Sequence, residues 1–151
     1  MSEILFYHLE RSSLEEVLPG LIERSLQRDW RVVVRTESAD RAQAIDTLLW
    51  TWNEESFLPH AQLGDGNAAA QPVLITVEGG NPNQATVLFL AGGATLDNWN
   101  EIGFPRVVFL FDARDAGALS TARSIWKTAK ELGHDATYWR QSMQGKWEKQ
   151  T

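Results

Sequence analysis

The sequence predicts a three-layer α/β sandwich, with a mainly parallel central sheet and helices on both faces. Three observations carry that expectation. Short runs rich in β-branched and aromatic residues alternate with stretches of helical period over most of the chain. Residues 30–35 and 106–111 read as buried strands, the second being the most strongly apolar run of the protein. No repeat, low-complexity segment or linker interrupts the 151 residues, so 1–151 reads as one domain with a core of its own.

Ile4-Leu5-Phe6-Tyr7 is the first expected strand, and His8 follows it. Ser13 stands three residues before Glu16, a capping-box signature, and Leu14, Val17, Leu18, Leu21, Ile22 and Leu26 then recur at helical spacing. Pro19 lies inside that pattern, so the helix is expected to kink or restart there. Trp30 to Arg35 is the second strand, with Trp30 expected in the core. Ser38 caps a second helix carrying Ala42, Ile45, Leu48 and Leu49 on one face.

Residues 50–60 break the periodicity, and residues 64–71 form a small polar loop. Residues 73–77 and 85–90 are strands joined by the turn cluster Gly79-Gly80-Asn81-Pro82-Asn83. With no helix between them they are expected to form a hairpin, which would make the sheet mixed. After the strand at 106–111, a long helix is expected over 115–132, ended by Gly133, and Ala136 to Trp139 is a last strand. This order of elements is Rossmann-like.

Hydrophobic residues make up 43% and charged residues 23%, the balance of a soluble globular protein. No apolar run approaches the roughly 20 residues of a membrane span, and the N-terminus has no basic segment leading into an apolar one. The absence of cysteine removes disulfides, thiolate metal sites and cysteine nucleophiles, and a cytoplasmic location is expected. The net charge of −6 is unevenly placed: residues 1–113 carry −9 and residues 114–151 carry +3, with all four lysines in the last stretch. An acidic chain has little general grip on nucleic acid, but its basic last quarter can attract an acidic partner.

Signals for catalysis are weak. Gly64-Asp65-Gly66, Gly79-Gly80 and Gly92-Gly93 complete no phosphate-binding fingerprint, so they read as turns. His8, His60 and His134 lack metal-ligand spacing, no serine lies in a nucleophile elbow, and Glu54-Glu55 diverge as adjacent side chains do. No catalytic residue, metal or cofactor is expected. The competing reading is a nucleotide-binding or hydrolytic enzyme on a Rossmann-like fold. A third is a direct single-strand binder using the basic residues and tryptophans of the last quarter.

Seven tryptophans are many for 151 residues, and Trp and Arg are common interface anchors. Unrolling the last helix at about 100° per residue puts Ala118, Ala122, Ile125, Ala129 and Leu132 on one stripe. Arg123, Lys127 and Lys130 form a cationic stripe, and Leu119 and Trp126 lie between the two. An apolar ledge beside positive charge suits a short peptide with an apolar end residue and carboxylates. Trp126 can equally be a boundary core residue under the stems of the lysines.

Several blocks in order carry a resemblance. They are Phe6-Tyr7, Leu49-Trp50, Ser56-Phe57-Leu58-Pro59-His60, Ala122-Arg123-Ser124-Ile125-Trp126-Lys127, Gly133-His134, Tyr138-Trp139 and Gly145-Lys146-Trp147. Together they resemble the chi subunit of bacterial DNA polymerase III holoenzyme across essentially the whole chain. The resemblance implies a non-catalytic accessory of the clamp-loader complex that meets DNA only indirectly. It implies a site for the acidic C-terminal tail of single-stranded-DNA-binding protein at Arg123, Trp126 and Lys127, with Tyr138 close by; Lys130 and Trp139 join them on geometry. It also implies a surface for the psi subunit, or a helicase, at Trp50, Phe57 and Pro59.

Overall fold

The computed structural model describes residues 3–51, 59–62, 67–77, 80–91, 93–94 and 103–150. Strand β1 spans Glu3–Leu9, helix α1 Leu14–Gln27, β2 Val32–Arg35 and α2 Ala39–Thr51. Then come β3 at Ala61–Gln62, a 3₁₀ turn at Ala68–Ala70, β4 at Val73–Thr76 and β5 at Val87–Leu90. The last elements are β6 at Arg106–Asp112, α3 at Ala116–Glu131, β7 at Asp135–Gln141 and β8 at Trp147–Gln150.

Among the described residues eight strands form one sheet in the order β3-β4-β2-β5-β6-β1-β7-β8, parallel throughout except for the β7–β8 pair. Alternate side chains enter two cores. Leu5 and Leu9 of β1, Val32 and Val34 of β2, and Val108 and Leu110 of β6 meet Leu18, Ile22, Ala42, Ile45 and Leu49 from α1 and α2. Ile4 and Phe6, Val33, and Val107, Phe109 and Phe111 meet Ala122, Ile125 and Ala129 of α3 on the other face. The three layers are therefore α1/α2, sheet and α3.

The expected hairpin of 73–77 with 85–90 does not form. Strands β4 and β5 run parallel, with β2 between them. Val32, Val33 and Val34 are fully buried, and a backbone that apolar on both faces needs a partner along each edge. Buried Asn83 fixes the arrangement by donating to the Val32 and Gln71 carbonyls at 3.2 and 2.9 Å, while Arg31 donates to the Ala69 and Asn83 carbonyls. The sheet is mixed for a different reason: β8, unforeseen in the sequence, folds back on β7.

Other expectations are refined. The Ser13–Glu16 capping box forms, and Ser38 caps α2 by accepting from the Arg41 amide. Helix α1 runs through Pro19 as one element, although proline has no N–H to donate to the Glu15 carbonyl. His8 lies within β1 rather than after it. Trp30 precedes β2 and is half-buried rather than core. Leu132 is 50% exposed, because α3 ends one residue before it and the chain turns away. The turn is a Schellman cap: Gly133 at φ +80° donates to Lys130, and His134 donates to Ala129.

Two glycine substitutions are expected to act with opposite sign. Gly20 lies inside α1 with open space where a Cβ would go, so Gly20→Ala should stabilise by about 0.5–1 kcal/mol. Gly133 holds a left-handed conformation, so Gly133→Ala should cost about 1 kcal/mol. Urea unfolding of both variants checks this; equal signs would contradict the helix assignment at one of the two sites.

Candidate protein-binding site

Helix α3 starts where Asp115 accepts from the Gly117 and Ala118 amides at 2.9 and 3.3 Å. Its small buried residues Ala122 and Ala129 let the helix lie close to the sheet. That places Trp126 over β1 and β7. Its ring meets Phe6 edge-on at 5.3 Å and Tyr138 edge-on at 5.9 Å. The Phe6 and Tyr138 rings are stacked at 6.3 Å, because the parallel register puts those residues opposite each other. Trp126 is half-buried, so it serves the core and still offers an edge to solvent.

Lys130 lies with its ammonium 5.0 Å from the centre of the Trp126 ring, within cation–π range. Arg123, Lys127 and Lys130 are exposed, as the unrolled helix predicts. Leu119 is half-buried beside them. The Tyr138 hydroxyl is pushed above its ordinary pKa by burial, with the Arg140 and Arg123 guanidiniums opposing. Arg123 thus reaches the same aromatic corner electrostatically. The corner combines exposed cations with an aromatic floor, and such a surface can hold a carboxylate beside an apolar side chain.

The sequence did not single out the support beneath Tyr138. His8 Nδ1 lies 2.6 Å from the Tyr138 hydroxyl and Nε2 lies 3.2 Å from Glu10, which in turn pairs with Arg140 at 3.2 Å. His8 shares a face with Phe6, two residues earlier, so the period of the strand signals it; pairing with β7 was needed to reveal Tyr138 as its partner. Glu10 is held below the ordinary carboxylate range by the hydrogen bond to His8 first and then by Arg140.

Trp139 does not join this corner. It is next to Tyr138 on β7 and so points through to the other face, where it packs with Tyr7 at 6.4 Å in the α1/α2 core. Trp147 from β8 approaches Tyr7 on that face at 5.0 Å. Of the second group, Trp50 closes α2 with 56% of its surface exposed and its ring 4.5 Å from that of buried His60. His60 is anchored to Asp46, 3.2 Å from its carbonyl and 3.4 Å from its carboxylate. Pro59 is half-buried beside His60, and Phe57 lies outside the described residues.

A crevice of about 490 Å³ opens at the carboxyl ends of β1 and β6, the position where open α/β sheets bind nucleotides. Glu15, Glu37, Asp112 and Asp115 line it against Arg41 and Arg114. Both arginines are paired there, Arg41 with Glu37 at 3.6 Å and Arg114 with Asp112 at 3.0 Å. The α1 and α3 amide ends are occupied by their own caps, Ser13 and Asp115.

The Glu10 carboxylate supplies a pH test. Its folded-state pKa is depressed, so its contribution to stability is complete above the ordinary value of 4.5 and is lost as pH falls through the lowered one. Glu10→Gln should therefore flatten the acid limb of a urea-midpoint profile relative to the parent; parallel limbs would contradict the network.

The profile of the family described as DNA polymerase III chi subunit, HolC, matches residues 1–137. A protein of Rickettsia prowazekii (strain Madrid E), named probable DNA polymerase III subunit chi, is 30% identical over 90 residues. The matched stretch is 60% of this chain and 54% of that protein, so this chain matches about half the length of its relative. The family match takes in β1 and the whole of α3, two of the three elements that build the Trp126 corner, and stops one residue before Tyr138 of β7. The chain belongs to the DNA polymerase III chi subunit family.

Proposed function

We propose that this protein is a non-catalytic replication adaptor whose α3 corner grips the acidic C-terminal tail of single-stranded-DNA-binding protein and links it to the polymerase III clamp-loader complex. The observation that supports this most is the conjunction at Trp126. One half-buried indole rests on Phe6 and Tyr138, a lysine covers its ring, and Arg123 and Lys127 stand exposed on the same helix. Arg123 forks onto the terminal or acidic carboxylate, Trp126 and Leu119 take the apolar end residue, and Lys127 and Lys130 add longer-range attraction. Trp139, on the opposite face, has no part in this site.

The second partner, a psi subunit or a helicase, would dock on the exposed Trp50 near the end of α2, with Pro59 and Phe57, the latter outside the described residues, as the further residues of that surface. An exposed tryptophan held by a buried histidine is an interface anchor of the kind that concentrates binding energy. The enzymatic alternative is disfavoured by the strand-end crevice. Its four carboxylates outnumber its two arginines, and the Ser13 and Asp115 caps take first-turn amides of α1 and α3, where that alternative requires a phosphate site.

Fluorescence anisotropy of a labelled acidic tail peptide tests the first site. The parent should bind in the micromolar range, more weakly as salt rises. Arg123→Ala should weaken binding at least about tenfold, the loss of one charge-assisted hydrogen-bonded pair. No binding by folded parent protein at about 100 μM would overturn the reading. For the second site, Trp50→Ala should abolish capture of the second partner while leaving tail affinity unchanged, because the residue lies on a different element; loss of both together would show that the two surfaces are one.

A further inference from the structure

Three of the seven basic residues in the acidic first 113 positions converge on one small recess. The recess has a volume of about 130 Å³ and opens between the end of α1 and the start of β6. Arg24 reaches it from the last turn of α1, Arg28 from the C-cap position just after that helix, and Arg106 from the first residue of β6. Trp30 forms a wall, and both Arg28 and Arg106 rest on its ring, at 5.1 and 5.5 Å from the ring centre. A guanidinium stacked on an aromatic face keeps its N–H edge available for an oxygen ligand.

We propose that this recess is an oxyanion site that takes a phosphate group. Among the described residues the cluster is under-neutralised. Glu3 pairs with Arg106 at 3.3 Å, and no carboxylate lies within ion-pair distance of Arg24 or Arg28. Arg24, in the last turn of α1, and Arg28, at its C-cap, are like charges four residues apart that repel each other unless an anion offsets them. The dipole of α1 accounts for cations at its C-terminal end, but it does not bring Arg106 in from a separate strand.

Tyr7 adds a hydroxyl at the floor. It lines the recess together with Arg24, Arg28 and Arg106, and burial raises its pKa, so it stays protonated. The forks of Arg24 and Arg28, with the N–H groups of Arg106 that Glu3 leaves over, offer more donors than the two oxygens of a carboxylate readily accept. They match a tetrahedral anion with three or four oxygens and up to two charges. The site lies on the α1 face of the sheet, opposite the α3 corner, and does not depend on the adaptor reading. The phosphate can come from a small phosphorylated compound or from the backbone of a single strand of nucleic acid.

The test is NMR of the isotopically labelled full chain, following the Trp30 indole N–H and the arginine Nε–H signals. One arm adds inorganic phosphate, a second a short thymidine oligonucleotide, and a third acetate. Saturable shifts at Trp30, Arg24, Arg28 and Arg106 are expected in the first or second arm. They should weaken at least about tenfold in the Arg24→Gln/Arg28→Gln double variant, whose exposed substitutions leave both cores intact. Saturation by phosphate alone identifies a small-molecule source, and tighter, salt-sensitive saturation by the oligonucleotide identifies a nucleic-acid backbone. Unsaturable shifts in both arms, binding that the double variant leaves intact, or an acetate response equal to that of phosphate would each overturn the proposal.

Discussion

A parallel strand with neighbours on both edges and layers on both faces must send alternate side chains into two separate cores, and β1 is the strand on which this constraint falls hardest. Its even residues Ile4, Phe6 and His8 serve the α3 side, and its odd residues Leu5, Tyr7 and Leu9 serve the α1/α2 side. Phe6 is fully buried and touches Phe109, Trp126 and Tyr138 at once. Through that ring the packing of the α3 core fixes where Trp126 presents its edge. Tyr7, one residue on, performs the corresponding task for Trp139 and Trp147 and forms the floor of the arginine recess. A slip of one residue in β1 would exchange the two surfaces.

The same strand separates two cationic surfaces in a protein that is acidic overall. Arg123, Lys127 and Lys130 are grouped by helical period on α3, where neighbouring turns put them on one exposed stripe. Arg24, Arg28 and Arg106 are grouped by tertiary packing of a helix end against a strand start. Each group is paired with an aromatic wall, Trp126 in one case and Trp30 in the other. Aromatic rings hold long cationic side chains in place at lower conformational cost than bare surface does, and this lets a small acidic domain keep local positive fields.

Sequence alone determined much of the local structure: the Ser13 capping box, the Ser38 cap, α3 and its Gly133 terminus, and the separation of the cationic and buried stripes on α3. These are set within a turn or two of helix, where spacing along the chain is spacing in space. Tertiary structure decided whatever depended on which strand lies beside which. It inserted β2 between β4 and β5 in place of a hairpin, packed Trp139 and Trp147 against Tyr7, joined His8 to Tyr138 across 130 residues, and brought Arg106 to Arg24 and Arg28. Neighbouring turns and the hydrophobic period are encoded residue by residue. Strand order and register are chosen by the burial of whole faces and by single buried groups such as Asn83, which no local pattern records.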